Sequence, residues 1–272
     1  MTIGLLHPGE MGGAVGQCLT AGGHEVLWLP EGRSAETAAR AGAAGLTATG
    51  DLADLVRRSD VIMSVCPPHA ALGIARQVAQ AQPAAFGGVY VDANAIAPAT
   101  AREVGAIVEA GGASFVDGGI IGSPPVAPGF IRLYLSGCRA EEVRALFDGT
   151  AADARLVERD GDNDDDGGGG EVGAASAVKM AYAAWTKGSA ALLLTARALA
   201  VAEGVEDALL AEWGISQPGL SERWTHATWS AAEKGWRWIA EMEEIAASMA
   251  AAGLPEGFHQ AAAEVYRRAR DR

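Results

Sequence analysis

The sequence predicts an α/β protein: an N-terminal Rossmann domain with a doubly wound parallel sheet, followed by an all-α domain. Three observations predict it. Short apolar strands alternate with helical segments through residues 1–157, as in a parallel sheet covered by helices. Near the start, at residues 2–16, an apolar strand runs straight into a glycine turn that opens a helix. Beyond Val172 strand signals stop, alanine is abundant, and six of the seven tryptophans occur.

In order, strands are expected at Thr2–Leu6, His24–Leu29, Asp60–Val65, Gly88–Asp92, Ser114–Asp117 and Phe130–Ser136, each a short apolar run bounded by turn residues. Helices are expected between them near Gly9–Ala21, Ala35–Ala41, His69–Ala79 and Pro98–Ala110. Residues 158–171 read as an acidic, glycine-rich connector. The helical domain, 172–272, carries helical periodicity at Val172–Glu203, Gly219–Trp229, Ala231–Ala252 and Phe258–Arg270, with Gly253-Leu254-Pro255 breaking the last two apart.

Hydrophobic residues make up 49% of the chain and charged ones 20%, with 36 glycines, which suits a folded α/β protein rather than a disordered one. The net charge of −13 weighs against nucleic-acid binding, and −6 of it lies between Glu158 and Glu171. Three widely spaced cysteines, Cys18, Cys66 and Cys138, suit reduced thiols. There is no charged start followed by an apolar run and cleavage site, and no apolar stretch of membrane-spanning length, so a cytoplasmic location is expected. No His/Cys/Asp cluster has zinc spacing and no Ser-His-Asp set can be assigned, so no metal site is expected.

The glycine turn is the first candidate site. His7 stands where the first glycine of G-x-G-x-x-G belongs, followed by Gly9 and Gly12. Proline after His7 predicts an extended backbone there, which needs no positive φ. Gly9 permits close approach of a pyrophosphate, Gly12 permits helix–strand packing, and the helix N-terminus offers amides to the phosphates. The alternative is a tight strand–helix turn without a ligand. Glu31 lies roughly 20 residues on, where an acid would take the ribose hydroxyls of NAD. Arg33 suits a 2′-phosphate instead and Ser34 is a candidate helix cap, so NADP is favoured with NAD left open. Two further loops, Val65-Cys66-Pro67-Pro68 and Asp92 to Pro98, follow strands on the same carboxyl edge.

At this point the chain resembles the β-hydroxyacid dehydrogenase family, the relatives of 6-phosphogluconate dehydrogenase, over nearly its full length. Gly4-Leu-Leu-His7-Pro8-Gly9-Glu10-Met11-Gly12 looks like the family's G-x-I-G-L-G-x-M-G opening, and Arg33-Ser34 resembles its N-R-[ST]. Asp92 to Pro98 is similar to D-x-S-T-x-x-P, with Asn94 and Ala95 departing. Phe115 to Ser123 looks like the D-A-P-V-S-G-G substrate loop, keeping Asp117 and Gly122. Gly173-Ala-Ala-Ser176-Ala-Val-Lys179-Met-Ala-Tyr182-Ala183 is similar to the catalytic motif G-x-x-G-x-x-x-K-x-x-x-N, with Lys179 in place and Ala183 at the asparagine. The C-terminal half looks like a subgroup of unassigned substrate. The resemblance implies cofactor contacts from His7 to Gly12, Arg33, Ser34, Cys66, Pro67 and Asn94, substrate contacts at Gly122 and Ser123, and a helical domain that binds substrate and forms a homodimer.

Lys179 also has a physical case of its own. Small or apolar residues surround it in an alanine-rich helix, so partial desolvation would bring its pKa toward the range useful for proton transfer. It would take the hydroxyl proton during oxidation and return one to the carbonyl during reduction, while nicotinamide carries the hydride. The alternative is a lysine that snorkels to solvent. Arg237, between Trp236 and Trp238, would clamp an anionic substrate or simply pack on its aromatic neighbours; Lys187, two turns after Lys179, would aid binding or, as the better reading, lie at the surface. His226 and His259 read as structural.

In the connector, carboxylates at Asp160, Asp162, Asp164, Asp166 and Glu171 fall at positions 1, 3, 5, 7 and 12 of a calcium loop. Asp165 occupies the position that needs glycine, so a solvated connector is the better account. The expected function is an NADP-dependent oxidoreductase acting on a small polar or anionic hydroxy or oxo compound. An imine reductase of the same architecture and a non-catalytic dinucleotide-binding protein are the alternatives.

Overall fold

A computed structural model describes residues 1–81, 86–124, 128–158 and 170–270. Strands β1 (Thr2–Leu6), β2 (Glu25–Trp28), β3 (Thr47–Ala48), β4 (Val61–Ser64), β5 (Val89–Asp92), β6 (Ser114–Gly122), β7 (Ile131–Ser136) and β8 (Ala152–Leu156) form one sheet. Its order is β3-β2-β1-β4-β5-β6-β7-β8, and all neighbours are parallel except β6 and β7. The order reverses direction between β1 and β4, which makes their carboxyl ends the switch point where ligands of such sheets bind.

Both faces of the sheet are covered, which is why its strands are continuous apolar runs rather than alternating ones. Ile3 and Leu5, Val61 and Met63, and Val89 and Val91 face one cluster, shared with Val15 and Leu19 of α1 (Glu10–Ala21) and Val143 of α6 (Ala140–Ala145). Leu6, Ile62, Tyr90 and Phe115 face the other. There they meet Leu55 of α3 (Leu52–Arg58), Ile74 and Val78 of α4 (Ala71–Gln80), and Val104 and Val108 of α5 (Pro98–Ala110). Helix α2 (Ala35–Ala43) follows β2.

The expected elements are present, with several differences. The short α3 and α6, and the strands β3 and β8, carry too little apolar pattern to be read: Thr47 and Ala48 are exposed, and Ala152–Leu156 is interrupted by Asp153 and Arg155. A 3₁₀ turn, Pro68–Ala70, precedes α4. Strand β6 does not stop at Asp117 but continues through Gly118 and Gly119 to Gly122, where it turns the sheet antiparallel. His7 is not extended: its φ is +68°, the only positive φ outside glycine among the described residues. Gly9 N donates to His7 O at 2.7 Å, and a Cβ on Gly12 would stand 2.3 Å from that same oxygen. The His7 carbonyl is thus folded back between Gly9 and the first turn of α1, and the backbone takes a conformation costing roughly 1–3 kcal/mol for a non-glycine residue.

The chain divides into two compact units, Met1–Lys179 and Met180–Arg272. The boundary lies inside α7 (Ala174–Ala202), whose first six residues belong with the sheet. In the second unit α8 (Glu206–Ser216) carries no clear sequence signal, and the two segments around Ser230 form a single helix, α9 (Leu220–Ala251), with Ser230 buried within it. Helix α9 packs against α10 (Gly257–Arg270), with Trp238 edge-on to Tyr266 at 5.1 Å. Among the described residues no helix is long and apolar enough to cross a membrane.

Candidate active site

The dinucleotide turn occupies the carboxyl end of β1 and the N-terminus of α1. Nothing stands within 4 Å of where a Cβ on Gly9 would be, so the turn is open to a ligand on that side. On its inner side Gly12 must be glycine, since His7 O lies against it. This geometry, open outside and tight inside, fits a nicotinamide dinucleotide's pyrophosphate.

His7, Arg33, Leu29, Leu52 and Ile74 line a small cleft next to that turn. Burial, with the nearby Arg33 charge, pushes the His7 imidazole down to about 4, while the Leu6 backbone pulls weakly the other way. Its Nδ1 is buried without a hydrogen-bond partner of good geometry. Burial also lowers the Arg33 pKa, with Cys66 opposing, but the guanidinium remains charged in any ordinary buffer. Ser34 caps α2, its Oγ accepting from Thr37 N at 3.2 Å.

The loops after β4 and β5 are tied together. Asn94 Oδ1 accepts from Cys66 N, and Asn94 Nδ2 donates to Asp92 Oδ2 at 2.8 Å and to Ser64 Oγ at 3.2 Å. Ser64, Asp92 and Asn94 are buried, so the Asn94 side chain is engaged in holding the Cys66-Pro67 loop. The Cys66 thiol is pushed up to about 12 by burial and by the Asp92 charge, so it stays a thiol.

The third cluster lies between β6, β7 and α7. Register pairs Asp92 with Asp117, so β6 runs five residues beyond the end of β5. Within that extension Ile120 O accepts from Lys179 Nζ at 2.8 Å, and Lys179 is half-buried. Gly122 has φ +120° and closes against Phe130 O, where a Cβ would collide at 1.9 Å. Ser123 follows it at the surface. Asp117 is fully buried and accepts from Gly173 N, Ser176 N, Ser176 Oγ and Ser136 Oγ. Burial raises its carboxyl pKa and those four donors pull it back. Ser136 escaped sequence reading, since a lone serine ending a strand carries no signal.

In the second unit Lys187 is not a surface lysine: it pairs with Glu241, lies 5.6 Å from the Trp238 ring centre, and both side chains are largely buried. Arg237 is half-buried beside Trp236, at 5.6 Å. His259 packs structurally, Nε2 lying 3.3 Å from Ala184 O. The calcium-like spacing falls mainly on 159–169, outside the described residues, as does Pro125. Among the described residues no group of three or more His, Cys, Asp or Glu could hold a metal ion.

Residues 2–153 match the family model described as the NAD binding domain of 6-phosphogluconate dehydrogenase, and residues 200–269 match a domain of unknown function, DUF1932. The chain is 29% identical over 210 residues to an uncharacterized 28.5 kDa protein of Methanothermus fervidus, covering 77% of this chain and 75% of that protein. Among solved structures it is similar to the conserved protein MTH1747 of unknown function, reported to resemble 3-hydroxyacid dehydrogenases: 29% identity, TM-score 0.68, covering 100% of this chain and 97% of that one. It shares the fold of Mycobacterium tuberculosis 3-hydroxyisobutyrate dehydrogenase, at 20% identity and TM-score 0.69, covering 98% and 92% of the two chains. An open glycine turn at the switch point, a cleft holding Arg33 and a lysine of α7 held by the extended β6 therefore occur in a chain that belongs to the family of the 6-phosphogluconate dehydrogenase NAD-binding domain, the NAD(P)-dependent oxidoreductases of 3-hydroxyacid dehydrogenase type.

Proposed function

We propose that the protein is an NADP-dependent oxidoreductase of a small polar or anionic hydroxy or oxo compound, with Lys179 as its general acid and base. The observation that carries this reading is the Lys179–Ile120 hydrogen bond at 2.8 Å, on the strand that ends at Gly122, just before Ser123. A bound nicotinamide dinucleotide supplies hydride chemistry. Around it, residues 7–12 receive the phosphates at the N-terminus of α1, and Asn94 keeps the Cys66-Pro67 loop in place beside them. Arg33 and the Ser34-capped helix receive the 2′-phosphate, which favours NADP. The Gly122 backbone and the Ser123 hydroxyl hold a substrate carboxylate or polar head. Lys179 then removes the hydroxyl proton in oxidation, or returns it to the carbonyl in reduction.

The test is a substrate screen of hydroxy acids, oxo acids and cyclic imines with NAD and NADP compared. Turnover of hydroxy or oxo acids supports this reading. Turnover of imines alone moves the protein to the imine reductases, and NADPH binding without turnover across the panel makes it a dinucleotide-binding protein.

A homodimer is part of the same proposal. The helical unit exposes Trp185, Leu192, Leu199, Ile215 and Phe258, each more than 60% accessible, and an accessible apolar set of this size favours burial against a second copy. Light scattering on the purified chain at the monomer mass would remove it. The free thiols Cys18, Cys66 and Cys138 suit a reducing, cytoplasmic setting.

A further inference from the structure

Strand β6 addresses the start of α7 at three successive points. Asp117 Oδ2 accepts from Ser176 N at 2.9 Å, from Gly173 N at 3.0 Å and from Ser136 Oγ at 3.1 Å, and Oδ1 accepts from Ser176 Oγ at 2.6 Å. Gly119 comes next: a Cβ there would meet Ala175 O at 2.8 Å and Lys179 Cβ at 3.0 Å, so helix and strand approach closely only because it has none. Then Ile120 O takes the Lys179 ammonium.

We infer that Asp117 is the positioning residue for Lys179: its buried carboxylate anchors the first turn of α7 to β6 and β7, and so sets where the ammonium stands. This rests on reading Lys179 as the proton-transfer group. All four donors to Asp117 are uncharged, and three of them come from Gly173 and Ser176 at the start of α7. A helix N-terminus is served well enough by a surface serine or asparagine cap; a fully buried carboxylate is an unusual way to meet that need. What it adds is direction. A carboxylate accepting two backbone N–H bonds and a hydroxyl from one turn fixes that turn's position and rotation together. Ser176 and Lys179 are three residues apart on one helical face, so holding Ser176 holds the Lys179 backbone. Ser136 Oγ, which donates to Asp117, also accepts from Ala175 N at 3.1 Å and joins β7 to the same turn.

The chain has only three lysines, Lys179, Lys187 and Lys234, so amine labelling read by mass spectrometry resolves each one and needs no substrate. Brief trinitrobenzenesulfonate pulses across a pH series give a labelling rate and a pH midpoint for Lys179, with Lys234 as the internal reference. In Asp117→Asn, whose amide cannot accept all four bonds, Lys179 is expected to label about tenfold faster relative to Lys234, the rate equivalent of about one pKa unit, with a shifted midpoint. Ser176→Ala is expected to move both in the same direction by less. A folded Asp117→Asn protein with a lowered Tm but the wild-type Lys179 rate and midpoint overturns the inference, because Asp117 is then only structural. If Asp117→Asn does not fold, Ser176→Ala and Ser136→Ala decide: wild-type Lys179 profiles in both overturn it equally. A separate result, turnover surviving in Lys179→Met, would remove the catalytic reading of Lys179 while leaving the labelling result to speak for Asp117.

Discussion

Lys179 Nζ donates to the main-chain oxygen of Ile120 at 2.8 Å, so the lysine of a helix is held by a strand that has already passed the carboxyl edge of its sheet. Strand β6 extends three residues, roughly 10 Å, from Asp117 at that edge to Ile120. Lys179 thus belongs to the sheet unit although its helix continues into the helical one. The proposed acid–base group and the glycine turn are carried by one folded unit, and its geometry can be tested by substitution.

Lys179→Met keeps the length and apolar stem and removes the exchangeable protons. With a substrate from the screen, kcat is expected to fall by about 10²- to 10⁴-fold, the usual range for a positioned acid or base. The coenzyme Kd, followed by tryptophan fluorescence, stays at the wild-type value, because no residue of the glycine turn is altered. Loss of coenzyme binding together with kcat would instead mark Lys179 as a binding residue.

Arg33→Ala separates the two coenzymes. A charge-assisted bond to a phosphate contributes about 1.5–3 kcal/mol, so the NADPH Kd is expected to rise by roughly 10- to 100-fold. NADH, which lacks the 2′-phosphate, should bind with little change. Equal weakening of both would return the ribose to Glu31 and the preference to NAD.

Gly119→Ala adds a single methyl where Ala175 O would stand 2.8 Å away and Lys179 Cβ 3.0 Å away. The neighbour is helix backbone, so α7 must shift. Overpacking of this kind costs about 1–3 kcal/mol. Urea unfolding should register that loss, and kcat should fall further than the stability change alone accounts for. An unchanged kcat in a destabilised protein would show that Lys179 tolerates displacement of α7.

Strand β6 also shows where sequence reading ended. A glycine pair inside a strand weakens the pattern, so Ser114–Asp117 was legible and Gly118–Gly122 was not. The extension pairs with β7 and lies against α7 at Gly119, tertiary contacts that no local window carries. The resemblance picked out Asp117 and Lys179 separately, but their link through Ser176 depends on a helix returning to a strand 59 residues earlier in the chain. The glycine turn was legible because its chemistry is local. Within it the backbone of His7 departs from the extended conformation that the following proline predicts, because Gly9 and Gly12 close onto the His7 carbonyl.

That same residue gives the protein a defined acid sensitivity. In the folded chain His7 titrates at about 4, against 6.5 when unfolded, chiefly because burial disfavours the imidazolium and Arg33 adds to that effect. Between those two values the unfolded chain binds the proton and the folded chain does not, so stability rises with pH there. The contribution of a neutral His7 is therefore complete above pH 6.5 and is lost as pH falls toward 4. His7→Asn keeps a side chain tolerant of positive φ and removes the titration. The wild type should lose stability more steeply than the variant as pH falls from 6.5 to 4. One proton's difference makes the extra slope at most about 1.4 kcal/mol per pH unit, and the part exposure of His7 narrows the pH range over which it acts. Urea midpoints for the two proteins at pH 7, 6 and 5 measure it, and parallel curves would mean that His7 keeps its ordinary pKa in the fold.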